Sequence, residues 1–134
     1  MERTLVIIKP DAMERKLMGQ VISAYEKKGL DIKAIKILKP SAELGEKHYA
    51  EHRDKPFFRE VVGSITRREV CVMIIEGDEV IAQVRSINGA TDPRAAEPGT
   101  IRALYGVSKT ENTVHASDSP ESAEREIKLW FPEL

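Results

Sequence analysis

The sequence has a single cysteine, few aromatic residues and no excess of charge of either sign. Cys71 alone excludes a disulfide framework and a zinc site built from several thiolates. The 21 basic and 22 acidic residues give a formal net charge of −1, which excludes a polybasic arm for nucleic acid or membranes and an acidic disordered tail. Any anionic ligand must therefore bind to a local positive cluster, and nucleic-acid binding is not expected as the main role.

Long hydrophobic runs are also missing. No apolar stretch approaches the roughly 20 residues of a membrane helix, and Met1 leads directly into the apolar run at residues 5–8 without the layout of a secretory leader. We therefore expect no membrane association and a cytoplasmic location. A chain of 134 residues with 41% hydrophobic content fits one domain, over residues 1–134, with a sizeable core.

Apolar residues recur with strand-like and helix-like periods in turn. Short apolar runs over residues 4–9 and 70–75 predict buried strands, and a change of phase at Ile35 predicts a bulge in a third strand over 30–38. A brief fourth strand is predicted over 113–116. Helices are predicted over residues 11–28, 41–53, 57–65, 78–88 and 119–130, with Asp11, Asp78 and Ser119 as N-caps, and residues 90–109 are predicted to form a long loop. This order predicts an α/β layer sandwich and leaves the strand order open.

Three histidines are the main candidates for chemistry, because the common phosphate-binding loops and kinase motifs are absent. His48 and His52 are four residues apart on a predicted helix, a spacing that can hold a metal, but no third ligand is evident and a solvated helix face is preferred. His115 lies at a strand edge before a capped helix, and Glu126 on that helix could face back toward it. A neutral imidazole is a good nucleophile, and a carboxylate on its other nitrogen would fix its tautomer. Taken alone, a hydrogen-bonded strand histidine would be the simpler interpretation.

The segment NTVHASD, residues 112–118, resembles the NxxH[GA]SD signature of nucleoside diphosphate kinases. Six further segments resemble the family's pattern in the same order: Lys9–Asp11, His48–Tyr49, Lys55–Phe58, Gly89–Pro93, Pro98–Arg102 and Ser122–Ile127. One heptapeptide could match by chance, but six ordered matches spread over essentially the whole chain are not explained that way.

The resemblance implies an α+β sandwich of the ferredoxin-like type, with a four-stranded antiparallel sheet covered by helices. It also implies transfer of the γ-phosphoryl group of a nucleoside triphosphate, typically ATP, to a nucleoside diphosphate. The transfer would be ping-pong, through a phosphohistidine on His115, with broad base specificity. Mg²⁺ is the implied cofactor, held mainly by the nucleotide phosphates, so that no metal ligand is expected from the protein.

The resemblance also implies a role for each matching residue. His115 matches the nucleophile, Glu126 the acid that orients its ring, and Ser117 the support of that acid, while Tyr49 lies beside the transferring group. The nucleotide-binding residues are Arg85, Thr91 and Arg102 for the phosphates, Lys9 and Asn112 for the ribose hydroxyl and phosphates, and Phe57 for the base, with Val61 at its edge. Arginine forks suit phosphate, and with Lys9 they would supply the local positive cluster.

Several positions depart from the family pattern. Lys109 stands where many members have an apolar residue near the base, and residues 67–69 replace a Ser-Gly-Pro turn. Leu104 stands before the aromatic residue Tyr105, where an acid is common. These departures affect the base site and loops, not the reaction. Pro93 resembles the proline of the family's subunit-contacting loop, which favours a homo-oligomer, either tetramer or hexamer.

A second hypothesis of another class is a catalytically silent nucleotide-binding or regulatory module on the same fold. Such a module would keep Phe57 and the arginines but would not need His115 together with Glu126. The sequence has both, which favours the enzyme.

Overall fold

The computed structural model describes residues 1–134, which form four strands and seven helices. The strands are β1 (Glu2–Ile8), β2 (Asp31–Leu38), β3 (Val70–Gly77) and β4 (Val114–Ala116). The helices are α1 (Pro10–Glu14), α2 (Met18–Glu26), α3 (Ala42–His48), α4 (Phe58–Thr66), α5 (Val80–Asn88), α6 (Ile101–Tyr105) and α7 (Pro120–Trp130). None of these helices combines the length and apolar character needed to span a membrane.

The four strands form one antiparallel sheet, as the resemblance implied, and the structure gives the strand order as β2-β3-β1-β4. The predicted bulge is confirmed, because the pairing of β2 with β3 changes register between Ile32 and Ala34. β1 lies between β3 and β4 and pairs Ile7 with His115. This pairing brings His115 next to the end of β1, from which Lys9 follows.

Helices cover both faces of the sheet. Alternate residues of β1 point to opposite faces, so Leu5 and Ile7 pack with α4 and α7, while Val6 and Ile8 pack with α2 and α5. All four of these β1 side chains are fully buried. Burial on both faces explains why the strand is a continuous apolar run without a polar alternation.

The structure confirms the predicted N-cap of α7 and corrects that of α5. The Ser119 hydroxyl accepts a hydrogen bond from the backbone of α7 at 3.1 Å. Asp78 does not cap α5, because the residue before the helix is Glu79, in the left-handed region with φ of 50°. The backbone N–H of Ile81 instead donates to Oε1 of Glu2, on β1, at 2.9 Å. A capping group from a distant strand leaves no signal in the local sequence.

Asp11 is not an N-cap either. It lies inside α1, and its Oδ2 accepts a hydrogen bond from the backbone N–H of Thr113 at 3.0 Å. Thr113 has a φ of 77°, which is uncommon for a residue other than glycine. The bond from Asp11 stabilises this conformation immediately before β4, and Asp11 therefore positions the strand that carries His115.

Three predicted segments differ in detail. The helix predicted over 11–28 is two helices, α1 and α2, separated by residues 15–17. The loop predicted over 90–109 contains a short 3-10 turn, Pro93–Ala95, and the helix α6. The helix predicted over 41–53 ends at His48 and continues as a 3-10 turn, Ala50–His52. Elements of three to five residues are too short to establish a helical period, so the sequence pattern does not reveal them.

Candidate active site

A cavity of about 290 Å³ lies beside β4, with walls from α3, α5, α6 and α7. Nine of the eleven predicted site residues line it: Lys9, Tyr49, Val61, Arg85, Thr91, Arg102, Asn112, His115 and Glu126. The other two residues are adjacent to the cavity. Ser117 is buried and donates a hydrogen bond to Glu126. The ring centroid of Phe57 lies 5.4 Å from that of His52, which lines the cavity. A larger cleft of about 760 Å³ between α2 and α6 is lined by no histidine and no carboxylate.

One nitrogen of the His115 ring is engaged and the other is free. Nε2 lies 2.9 Å from Oε1 of Glu126, and the Ser117 hydroxyl donates to the same oxygen at 2.8 Å. Because the buried carboxylate accepts from Nε2, the neutral ring carries its proton there and keeps the lone pair on Nδ1. The His115 side chain remains 21% exposed while that of Glu126 is 6% exposed. His115 is therefore arranged as an accessible nucleophile with an oriented ring.

Lys9 supplies a buried positive charge next to this ring. Its Nζ donates to the carbonyl of Thr110 at 2.5 Å and to Oδ1 of Asn112 at 3.1 Å. Burial lowers the pKa of Lys9 to about 8, with Arg102 acting in the same direction and Asp11 opposing. A bound phosphate would supply a negative charge next to the buried amine of Lys9 and would favour its protonated form.

Arg102 supplies a second positive charge and also holds the backbone of the cavity wall. Its guanidinium donates to the carbonyls of Gly89 at 2.7 Å, Val114 at 2.8 Å and Asn112 at 3.3 Å. These bonds use three of the five N–H donors of an arginine and leave two for a ligand. The Arg85 side chain, exposed on the same wall, makes no hydrogen bond or ion pair within the protein and adds a third cation. Burial lowers the pKa of Arg102, and Arg85 contributes to that shift.

Two neutral side chains complete the polar wall. The Asn112 amide donates to the carbonyls of Thr91 at 3.2 Å and Lys109 at 2.9 Å, while its oxygen accepts from Lys9. Burial raises the pKa of Tyr49, with Glu126 acting in the same direction, so that its hydroxyl keeps its proton and can donate.

The aromatic edge of the cavity is formed by the start of α4. Phe57 precedes this helix and is 43% exposed, and Val61 is one turn further along. The Thr110 hydroxyl donates to Oε1 of Glu60 at 2.6 Å, which holds the loop carrying Lys109 against the same helix. A planar ligand stacked on Phe57 would therefore lie close to Lys109.

The solvated-face interpretation is wrong for His48. This residue is only 3% exposed, its Nδ1 accepts a hydrogen bond from Nε1 of Trp130 at 3.0 Å, and its ring centroid is 4.4 Å from that of His115. The signal available in the sequence was the spacing from Leu44, one helical turn earlier, which packs against the same core. His52, the other member of the pair, lies on the 3-10 turn and lines the cavity.

The residues around His115 do not form a convincing metal site. His48, His115 and Glu126 offer ligand atoms within 4.8 Å of one another. Trp130 can only donate, so the neutral His48 ring must carry its proton on Nε2, and a protonated nitrogen is not a metal ligand. Of the other carboxylates that line the cavity, Glu51 pairs with Arg125 and Asp118 is free. A single free carboxylate does not make a magnesium cage.

Comparison with known proteins places these features in a family. The family model described as nucleoside diphosphate kinase matches residues 2–134. The nucleoside diphosphate kinase of Clostridium perfringens is 54% identical over 134 residues, covering 100% of this chain and 94% of that protein. That of Pyrococcus abyssi is 59% identical over 133 residues, covering 97% and 84%.

Solved structures agree with the sequence comparisons. The Aquifex aeolicus nucleoside diphosphate kinase superimposes with a TM-score of 0.94 at 42% identity, covering 97% of this chain and 94% of that one. The Halobacterium salinarum nucleoside diphosphate kinase, solved in complex with CDP, superimposes with a TM-score of 0.94 at 45% identity, covering 97% and 87%.

Proposed function

The chain belongs to the nucleoside diphosphate kinase family, and from this premise we propose that its phosphoryl transfer passes through a phosphohistidine on His115. The enzyme is a phosphotransferase that acts on nucleoside diphosphates. The observation that carries the proposal is the 2.9 Å contact between Nε2 of His115 and Glu126, which leaves the lone pair of Nδ1 facing the cavity. The silent-module hypothesis leaves this arrangement without a use.

The proposed reaction has two symmetrical steps. The Nδ1 lone pair attacks the γ-phosphorus of the donor, the bond to the bridging oxygen breaks, and its electron pair leaves with the nucleoside diphosphate. Glu126 stabilises the positive charge that develops on the ring. A β-phosphate oxygen of the acceptor then attacks the same phosphorus, the nitrogen–phosphorus bond breaks, and the ring of His115 returns to its neutral state.

The nucleotide would bind along the polar wall, with its base on Phe57. Lys9, Arg85 and Arg102 would neutralise the phosphates, which is the main task of the protein in phosphoryl transfer. Stacking on an aromatic ring accepts every base because each has a π-face, so we propose broad base specificity. A nucleoside diphosphate kinase of the same fold binds CDP.

Mg²⁺ is proposed as the cofactor. Asp118 is the one carboxylate in the cavity wall that is free of other contacts, so the ion would be held mainly by the phosphate oxygens of the nucleotide. Bound in this way, Mg²⁺ would neutralise the charge that develops on the phosphates.

A homo-oligomer, tetramer or hexamer, is also proposed, in the cytoplasm, where nucleoside triphosphate donors are available. The edge of the sheet at β2 supports the proposed homo-oligomer, because β2 pairs with β3 on one side and its other side is unpaired. Ile35 and Ile37 on this strand are 50% and 54% exposed. An unpaired edge strand that exposes large apolar side chains is suited to pairing with another chain.

The phosphohistidine is tested by labelling the protein with γ-labelled ATP in the absence of acceptor. We expect label on His115 that is lost in acid, survives alkali and is discharged when a nucleoside diphosphate is added. Transfer at the full rate without any labelled protein would show that phosphoryl passes directly between nucleotides and would refute the proposal.

Glu126→Gln is expected to slow transfer by about tenfold to a hundredfold, less than the loss of His115 itself. The amide keeps the size of the side chain but removes the negative charge that stabilises the imidazolium, which is worth about 1.4–2.8 kcal/mol of barrier. Single-turnover labelling rates measure the effect. Ser117→Ala, which removes one donor to Oε1 of Glu126, serves as the milder comparison. A Glu126→Gln variant slower than His115→Ala would contradict the assigned roles.

The pH dependence of kcat/KM for ATP is expected to report on Lys9. Its pKa of about 8 means that the ammonium is present below pH 8 and is lost as the pH rises through that value. Phosphate binding requires the charge, so kcat/KM is expected to fall above pH 8 in the free enzyme. Lys9→Met should lower kcat/KM at pH 7 and abolish this alkaline decline. If kcat/KM of the Lys9→Met variant declined above pH 8 in the same way, the decline would come from the titration of another group.

A further inference from the structure

His48 is a buried polar residue that no step described above uses. It ends α3, and its Nδ1 accepts from Nε1 of Trp130 on α7 at 3.0 Å. Arg125, also on α7, donates to the carbonyl of His48 at 3.3 Å, so both the backbone and the ring are tied to that helix. A side chain held from two directions has a fixed orientation.

The hydrogen bond from Trp130 determines the tautomer of His48. An indole nitrogen can only donate, so Nδ1 of His48 must be the acceptor and the proton of the neutral ring must be on Nε2. Burial lowers the pKa of His48 well below its ordinary value, and the neighbouring His115 acts in the same direction. His48 is therefore a neutral imidazole in one tautomer at neutral pH.

The Nε2–H of His48 is buried and has no hydrogen-bond partner. A buried donor without a partner costs stability, and such groups in a folded protein call for an explanation in terms of function. The nearest ring is that of His115, with 4.4 Å between the centroids and planes inclined by 80°. This edge-to-face contact restricts the rotation of the His115 ring about its own side-chain bonds.

We propose that His48 is a positioning residue for the reaction at His115. Trp130 fixes the tautomer of His48, and the His48 ring in turn holds the His115 ring with Nε2 toward Glu126 and Nδ1 toward the cavity. Glu126 fixes one point on the ring, and the edge-to-face contact with His48 restricts the remaining rotation. The inference rests on the proposed phosphohistidine, since ring orientation matters for the reaction only if Nδ1 is the nucleophile.

The test compares His48→Asn with Leu44→Ala. Asparagine places an acceptor near the position of Nδ1, so it retains a partner for Trp130 but lacks the imidazole ring and its Nε2–H. Leu44 is one turn earlier on α3, is partly buried against the core and makes no hydrogen bond through its side chain, so its truncation reports the effect of destabilising this helix. Trp130→Phe is the second variant, which keeps an aromatic ring and removes the indole donor.

Two readouts separate positioning from stability. The first is the single-turnover labelling rate at saturating ATP, together with KM. The second is the ¹⁵N chemical shifts of the imidazole nitrogens in nucleotide-free protein, which identify the tautomer of each of the three histidines. In the unaltered protein we expect the proton on Nε2 of both His48 and His115.

In His48→Asn we expect labelling to slow by about tenfold or more, with KM changed less than about threefold, and the His115 nitrogens to shift toward a mixture of tautomers. Trp130→Phe should give a mixed tautomer at His48 and a smaller loss of rate, and Leu44→Ala should lower the melting temperature without changing the spectrum of His115.

A folded His48→Asn variant with an unchanged rate and an unchanged His115 spectrum would overturn the inference, as would a rate loss that Leu44→Ala reproduces. A proton on Nδ1 of His48 in the unaltered protein would also overturn it. Failure of the unaltered protein to take up label would instead refute the phosphohistidine, and the spectra would still show whether His48 controls the His115 ring.

Discussion

The His115→Ala variant is expected to fold normally and to lose phosphoryl transfer by at least about three orders of magnitude, or about 4 kcal/mol of barrier. The substitution removes the atom that would bond to phosphorus. His48 cannot replace it, because it is buried, its Nδ1 accepts a hydrogen bond from Trp130 and its Nε2 carries the proton. The fold should persist, since the backbone pairing of residue 115 with Ile7 does not depend on the side chain. Glu126 keeps the hydrogen bond from Ser117.

A coupled assay with ATP and a series of nucleoside diphosphates measures this loss, and circular dichroism checks the fold. His115→Asn is the matched polar variant, and it should be equally inactive because an amide does not act as a nucleophile. Retention of more than about a tenth of the transfer rate in either folded variant would rule out His115 as the phosphoryl carrier.

Arg102→Ala is expected to lower both activity and stability, with kcat/KM reduced by at least about tenfold, or ~1.4 kcal/mol. The expected loss has two sources, because the guanidinium is proposed to neutralise phosphate and also holds the carbonyls of Gly89, Asn112 and Val114. Removing it leaves these carbonyls without a charged donor, which should lower the free energy of unfolding by about 2 kcal/mol.

Arg85→Ala separates the two contributions of Arg102. Arg85 lines the same cavity but makes no bond within the protein, so its loss should reduce kcat/KM without changing the melting temperature. Arg102→Lys, which keeps the charge but not the planar fork, should lie between the wild type and Arg102→Ala in both activity and stability. An Arg102→Ala variant with unchanged kcat/KM would show that the phosphate is bound elsewhere.

Much of the secondary structure could be predicted because its signals are local. The apolar runs of β1 and β3, the phase change in β2 and the Ser119–Pro120 start of α7 each depend on residues within one or two turns of each other. Short elements such as α6 escaped prediction because five residues do not establish a period.

The residues of the candidate site were nominated by the ordered family motifs, which carry the residue types of the site directly. Nine of the eleven predicted residues line one cavity. The errors concern residues whose partners are remote in sequence. His48 was interpreted as a surface residue because its hydrogen-bond partner, Trp130, is 82 residues away in the sequence. Asp78 was interpreted as an N-cap because the sequence gives no sign that Glu2 accepts the hydrogen bond from the N-terminus of α5.

The sequence alone predicted the class of chemistry and nominated His115 as the residue that would perform it, since the motif around His115 is recognised without reference to distant residues. The tertiary structure decided which nitrogen of that ring is free, which cations share a cavity wall with it and which buried histidine lies against it. The physical reason is that spacing along the chain encodes contacts within a turn or a strand. Contacts between distant segments depend instead on strand order and helix packing, which the spacing of apolar residues along the sequence does not specify.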